Sequence, residues 1–365
     1  MARYRKFIDV DVLTAARQRM RHIWDAFDTK VVSFSGGKDS LATLRIAREV
    51  AEERGELPVK ALFRDEELIP SAVIEFVEKV RAEPWVDLKY FALRGRGTQF
   101  VLGKSRFYTQ WDPARPHLRP MPPHAITQPP EMPVFDANSA DSFLVEHYPG
   151  KTAFITGIRA AESLTRYRSC VNKLNENYIV ASQHPRMKLT KPLFDWQEND
   201  IFKYLHDTGG WCPLYDAQHV AGERFRVSTP LHSESAKRIG FLMKTDPRFY
   251  NQLLALFPDT AIQQRYWAEF DRDKLKLEYG VSFDGCKRYV AEMDDPEKRE
   301  LASKMLNYVI GRARSDPGGY PPLTVFSWLE GGAYYKELMA LTPGERERAW
   351  EKQSKLEKKA ARVDP

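Results

Sequence analysis

The stretch Val31-Val32-Ser33-Phe34-Ser35-Gly36-Gly37-Lys38-Asp39-Ser40 decides how this chain reads. A short β-branched run enters a pair of glycines, and a Lys, an Asp and a Ser follow. A helical pattern comes next, with Leu41, Leu44, Ala47 and Ala51 on one face and Arg45, Arg48, Glu52 and Glu53 around the other. The order is strand, Gly-rich turn, helix N-terminus. Such a turn gathers backbone N–H groups at one point, and the helix end adds partial positive charge. Glycines let a phosphate approach the backbone with no Cβ in the way. Lys38 offers a point charge, and Ser35 and Ser40 offer hydroxyls. The spacing is not that of the Walker loop, whose first Gly stands further from its Gly-Lys-[Ser/Thr]. A ligand-free β–α turn is the plainer alternative, but the strand–turn–helix setting favours phosphate.

Upstream, residues 9–28 read as a helix, with Val12, Ala15, Ala16, Met20, Ile23 and Trp24 at helical spacing. Downstream, Gly55 stops the loop helix and Pro58 bars its continuation. Val59 to Phe63 is a second strand, ending in Arg64-Asp65-Glu66-Glu67. That places carboxylates at a strand's C-terminal edge, where ligands of open α/β sheets bind. Pro70 opens a helix through Val80, and residues 86–93 form a third strand. The alternation predicts an α/β fold, a doubly wound and mostly parallel sheet.

Residues 105–150 break this rhythm. Prolines from Pro113 to Pro133 exclude regular helix and central strand, while Phe107, Tyr108 and Trp111 argue against a plain solvated linker. A lid over the sheet's edge and an irregular surface insertion fit equally well. Residues 152–158 read as a fourth strand, running into Gly157-Ile158-Arg159-Ala160-Ala161-Glu162-Ser163-Leu164-Thr165-Arg166. Arg suits bidentate recognition of phosphate or sulfate. Taken alone, this block reads more simply as a helix start with surface arginines.

Lys191-Pro192-Leu193-Phe194-Asp195-Trp196 leads into another helix, with Asp195 and Glu198 at capping-box spacing. Gly209-Gly210 ends it and Cys212-Pro213-Leu214-Tyr215 follows, for which a capped core helix and a turn are a sufficient account. Beyond residue 217 the strand signals fade, and helices are expected over 233–256, 259–278, 295–314 and 343–360. Trp328, Tyr334 and Tyr335, beside Gly331-Gly332, read as core rather than as a base-stacking platform. The predicted division is a nucleotide-binding domain over 1–216, with the Pro-rich insertion 105–150, and a helical region over 217–365.

Apolar residues make up 42% of the 365, enough for a packed core, and the net charge of +6 suits anionic ligands. That charge is too small to establish nucleic-acid binding. Cys170, Cys212 and Cys286 form no Cys-x-x-Cys pair, which fits a reducing compartment. No apolar run is long enough to cross a membrane, and Met1-Ala2-Arg3-Tyr4-Arg5-Lys6 precedes no signal-like apolar segment. A cytoplasmic protein without a membrane partner is expected.

Ser35-Gly36-Gly37-Lys38-Asp39-Ser40 resembles the PP-loop of the ATP pyrophosphatase (adenine nucleotide α-hydrolase-like) superfamily. Members bind ATP, cut between its α- and β-phosphates and adenylate a substrate. With the blocks at 157–166 and 191–196, and Pro213-Leu214-Tyr215 downstream, the chain is similar to the phosphoadenosine phosphosulfate (PAPS) reductase-like branch over roughly residues 30–216. The helical tail is closer to the immunoglobulin-binding regulator A proteins than to true reductases. The resemblance implies a nucleotide site of Ser33, Ser35, Gly36, Gly37, Lys38, Asp39, Ser40, Asp65, Gly157, Arg159, Ser163 and Arg166. It implies ATP as ligand, catalytic roles for Lys38, Asp39 and Arg159, and Mg²⁺ on Asp39 or Asp65.

True reductases attack sulfur with the Cys of a C-terminal Glu-Cys-Gly-[Ile/Leu]-His motif, which Asp284-Gly285-Cys286-Lys287 does not match. No iron–sulfur cluster is expected, since scattered cysteines do not supply a full set of thiolate ligands. His184, His206 and His219 show no zinc-ligand spacing with them. Three functions stay open, in this order. The first is ATP-dependent adenylation of a nucleobase, nucleic acid or small molecule. The second is sulfonucleotide reduction by Cys286 or a partner's thiol, and the third is a nucleotide-binding regulator without turnover that acts on a protein or DNA partner.

Overall fold

Asp11 begins the first helix, accepting hydrogen bonds from the N–H groups of Leu13 and Thr14, and so sets Ala16, Met20 and Ile23 on one buried face of α1 (Val12–Ala26). The computed structural model describes residues 9–102, 104–136, 139–171, 178–222, 227, 229–231, 239–266 and 274–360. After α1 come β1 (Thr29–Ser33), α2 (Lys38–Arg54), β2 (Val59–Asp65), α3 (Ser71–Arg81) and β3 (Val86–Ala92). Gly55, at φ 66°, ends α2 by donating its N–H to the carbonyls of Ala51 and Glu52. A hairpin, β4 (Arg96–Val101) and β5 (Lys104–Thr109), leads to α4 (Ser139–Val145) and β6 (Thr152–Ile155). Then follow α5 (Leu164–Val171), β7 (Ile179–Ala181), β8 (Met187–Thr190), α6 (Glu198–Thr208) and α7 (Leu214–Val220).

The main sheet has the order β3-β2-β1-β6-β8-β7, parallel except for β7 against β8. Successive strand residues point to opposite faces, and both faces are covered. Val32, Phe63 and Ile155 pack with α1 and α2, while Val31, Leu62 and Phe154 pack with α4. From β1 the chain winds outward through β2 and β3 on one side, then returns to lay β6 on the other. The expected doubly wound, mostly parallel α/β sheet is therefore present, and β1 stands where its winding direction changes.

Some local expectations give way. Asp195 does not cap α6; Gln197 does, its N–H donating to Asp200 at 2.7 Å. Asp195 is instead gripped at both oxygens by Arg19, each at 2.7 Å, a pairing no capping rule contains. The fourth strand stops at Ile155, three residues before Ile158. The insertion 105–150 holds most of β5 and all of α4, so its prolines exclude regular structure only between those elements.

The chain forms two compact units, one of Met1–Gly97, Tyr108–Pro230 and Gly240–Phe257, the other of Thr98–Phe107, Leu231–Ile239 and Pro258–Pro365. This differs from a single cut after residue 216, because the first unit keeps a later helix, Pro247–Leu256, and the second takes the tip of the β4–β5 hairpin. The second unit is helical, with Phe283–Ala291, Pro296–Ser315 and Pro322–Glu330 packed around Val309, Phe326, Trp328 and Tyr334. Trp328 and Tyr334 are core residues there, as expected, but Tyr335, expected with them, is exposed. Phe283–Ala291, capped by Ser282, is a helix that no expected span covers. No helix among the described residues is long and apolar enough to cross a membrane.

Candidate functional site

Beyond Ser33 the backbone stays on its neighbour strand for one more step, the Phe34 N–H donating to Leu62 O at 2.8 Å. It then turns at Gly36, whose φ of 74° suits glycine, and a Cβ there would stand 2.7 Å from Val73 Cγ1. Ser40, in the first turn of α2, reaches back to close the loop. Its hydroxyl donates to Gly37 O at 2.9 Å and accepts from the Ser35 N–H at 3.1 Å. Ser35 and Ser40 thus shape the loop. Among the described residues, the N–H groups of Gly36 and Gly37 have no hydrogen-bond acceptor. They lie at the start of a helix, where donors and dipole together favour an anion.

The charged residues of the loop form one chain of contacts. Lys38 Nζ is 3.2 Å from Asp39 Oδ2 and 3.2 Å from Glu198 Oε1, and the same ammonium lies over the rings of Phe202 and Tyr215, 5.9 and 5.7 Å from their centroids. Asp39 Oδ1 accepts from Arg159 Nε at 2.5 Å. The Tyr215 hydroxyl accepts the Lys38 N–H at 2.9 Å, and burial pushes that phenol's pKa up, so it stays neutral. Gly157 brings the Arg159 segment this close. A Cβ on Gly157 would stand 2.5 Å from the Asp39 carbonyl carbon.

Of the expected site residues, Ser33, Ser35, Gly36, Gly37, Lys38, Asp39, Ser40, Gly157 and Arg159 come together. Ser163 and Arg166 take other parts. Ser163 Oγ accepts the Arg166 N–H at 3.2 Å at the start of α5, and the half-exposed Arg166 guanidinium pairs with Glu162. Arg166 follows the surface-charge alternative here.

Asp65 requires a correction. Its carboxylate is fully buried, with Oδ1 accepting from Arg119 and the Glu67 N–H and Oδ2 from the Tyr90 hydroxyl. Burial pushes its pKa up while Arg119 opposes that, and burial beside this carboxylate pushes the Tyr90 phenol up too. Both oxygens are engaged and the carboxylate is closed off from the loop, so it does not suit Mg²⁺. Asp39 is also paired at both oxygens, with Arg159 and Lys38, but it is partly exposed beside the loop. It is the better placed of the two for an ion that is commonly held by one or two carboxylates with substrate phosphates. Among the described residues no three His, Cys, Asp or Glu converge as a metal set.

A cavity of about 350 Å³ opens beside the loop at the strands' C-terminal edge. Its walls include Phe34, Phe63, Phe154 and Leu189, with Ser33, Ser35 and Thr156 supplying hydroxyls. Tyr215, Glu198 and Glu162 are site residues that sequence reading missed. Tyr215 lies in a block singled out there, but as part of a turn, and no spacing rule joins it to Lys38.

Residues 29–247 match the family described as the phosphoadenosine phosphosulfate reductase domain. This chain belongs to that family. The uncharacterized protein YbdN of Escherichia coli (strain K12) is 26% identical over 268 residues, 68% of this chain and 65% of YbdN, so under two thirds of that relative is matched. Among solved structures, the Candida glabrata FMN adenylyltransferase D181A mutant is 14% identical, with a TM-score of 0.36 over 58% of this chain and 63% of its own. The PAPS reductase of Candida auris, in a phosphate complex, is 15% identical, with a TM-score of 0.31 over 55% of this chain and 84% of its own.

Within this PAPS reductase family member, the cysteines are free and buried. Cys286 lies in the core of the second unit, where burial pushes its thiol up to about 12. Cys212 is raised as well, again by burial. A thiol attacks as its thiolate, so these environments suit packing rather than sulfur chemistry. In native protein at mildly alkaline pH, iodoacetamide is expected to leave Cys170, Cys212 and Cys286 unlabelled, and to label each after denaturation, as read by mass spectrometry. Rapid native labelling of Cys286 would restore the reductase alternative.

Proposed function

We propose that this protein binds ATP with its triphosphate on residues 35–40 and transfers the adenylyl group to an acceptor, releasing pyrophosphate. The observation that carries this is the chain Lys38–Asp39–Arg159 at a glycine-rich helix start, beside a cavity at the sheet's switch point. The Gly36 and Gly37 N–H groups would take phosphate oxygens. Lys38 Nζ, now shared between carboxylates, would swing to the leaving pyrophosphate and stabilise its developing charge. Arg159 would hold the α-phosphate in line through its planar fork. Mg²⁺, when bound, would neutralise charge between phosphate oxygens and Asp39. The acceptor's nucleophile attacks the α-phosphorus, the bond to the bridging oxygen breaks, and pyrophosphate departs.

The doubly paired Lys38 also supports a second reading, a nucleotide-binding regulator without turnover, with nucleic acid or protein as partner. Pyrophosphate release separates the two. Lys38→Ala is expected to weaken ATP binding by about 1–3 kcal/mol, the scale of a hydrogen bond to a charged group, and to abolish pyrophosphate release. Calorimetry with ATP and a pyrophosphate assay with candidate acceptors measure both. Unaltered affinity in Lys38→Ala would remove the loop from the site.

A further inference from the structure

The cavity beside the loop has an uneven charge. Among the described residues, its charged lining consists of Arg64, Glu66 and Asp141. Arg64 is shared between the carboxylates, its Nη2 standing 3.2 Å from Glu66 Oε1 and its charge acting on Asp141 as well. Asp141 has no hydrogen-bond partner among the described residues, and burial pushes its carboxyl up against the pull of Arg64. It is held at the cavity wall by α4, whose Ala140 and Leu144 are packed on the sheet. Among the described residues no Lys and no second Arg lines the space.

The remaining wall is apolar and aromatic, suited to a nucleobase and sugar. A sugar hydroxyl donates a hydrogen bond to a carboxylate, whereas an ionised phosphate oxygen only accepts. Resting on the nucleotide reading above, we propose that this cavity selects adenine nucleotides with a free ribose 3′-hydroxyl and rejects those that carry a 3′-phosphate. Asp141 and Glu66 are the residues that discriminate. Among the described residues, a 3′-phosphate here would face two carboxylates against the single guanidinium of Arg64, a wall of net negative charge. Specificity of this kind comes as much from repelling the wrong ligand as from holding the right one. The chain would then keep the family's loop and sheet while excluding phosphoadenosine phosphosulfate, a 3′-phosphorylated nucleotide, as substrate.

AMP and adenosine 3′,5′-bisphosphate differ only in that phosphate. Each is competed against a fluorescent ATP analogue on the full chain, with binding of the analogue measured first. The bisphosphate is expected to bind at least about a hundredfold more weakly than AMP, as like-charge juxtaposition at a binding surface costs several kcal/mol. The double variant Glu66→Gln, Asp141→Asn should shrink that gap to about tenfold or less, and Asp141→Asn alone should shrink it in part should the double variant not fold. Equal binding of the two ligands by the wild type, with the analogue bound, overturns this inference and leaves the nucleotide reading standing. A gap that persists in the variants overturns the assignment to Asp141 and Glu66. Failure of the analogue to bind at all removes the nucleotide reading itself, and this inference with it.

Discussion

Gly157→Val is expected to abolish ATP binding and to lower the unfolding midpoint. A Cβ at this position would lie 2.5 Å from the Asp39 carbonyl carbon, 2.6 Å from its oxygen and 2.8 Å from the Ser40 nitrogen. These are backbone atoms in the first turn of α2, and no side-chain rotation relieves the overlap. Either the Arg159 segment lifts away or α2 shifts, and both separate Arg159 from Asp39. Gly157→Ala should cost about 1–3 kcal/mol, the scale of overpacking a close contact, and weaken ATP by at least about tenfold. Gly311 is the control: a Cβ there meets nothing within 4 Å, and it sits inside a helix where Ala is favoured over Gly by up to about 1 kcal/mol. Thermal unfolding and calorimetry on both variants decide. If Gly157→Ala behaves like Gly311→Ala, the close approach of the two segments is not what builds the site.

The second large effect concerns Glu67, a fully buried carboxylate at the end of the β2 edge. It accepts from Arg115 Nη1 at 2.7 Å and Nη2 at 2.6 Å, and from the backbone N–H groups of Trp111 at 2.7 Å and Leu118 at 3.3 Å. Glu67→Ala leaves the partly buried Arg115 guanidinium without its counter-charge, held only by the carbonyls of Thr109 and Pro116, and two backbone amides without an acceptor. Breaking one partner of a buried ion pair costs on the order of 3–5 kcal/mol, largely because the survivor stays uncompensated. Glu67→Gln preserves shape and one carbonyl acceptor, so a smaller loss is expected. Urea unfolding gives the size of each effect. Limited proteolysis adds location, since the Pro-rich segment should become cleavable near residues 112–118 while α2 stays protected. An unfolding midpoint equal to wild type in Glu67→Ala would show that this anchor holds nothing.

These anchors explain which parts of the molecule were readable from sequence. β1, the loop and α2 are specified by neighbours: β-branched residues, two glycines, then an apolar stripe closed by Gly55. The same holds for Asp11 and α1. What could not be read joins residues far apart in the chain. Asp65 looked like a metal ligand because it ends a strand at the ligand edge, yet Arg119 claims it from within the insertion. Asp195 looked like a cap, yet Arg19 claims it across 176 positions. Tyr215 meets the Lys38 N–H across 177. Such pairs are settled by strand order and by which loop covers which edge. Local spacing rules describe neither. Arg159 was readable only through the resemblance, whereas Arg166, three residues past a capping Ser163, obeyed the simpler surface rule.

The interleaving of the two units bears on how the chain is made. Ribosomes deliver residues from the N-terminus, and domains generally fold as units as they emerge. Here the first unit is not whole until Phe257 has been synthesised, and Thr98–Phe107, translated early, belong with helices translated last. It follows that the hairpin tip waits for its partners until Leu231 and the residues after it have been translated, and that neither unit can be obtained as one contiguous fragment. Truncation at residue 216 would strip Pro247–Leu256 from the first unit while leaving it a stranded piece of the second.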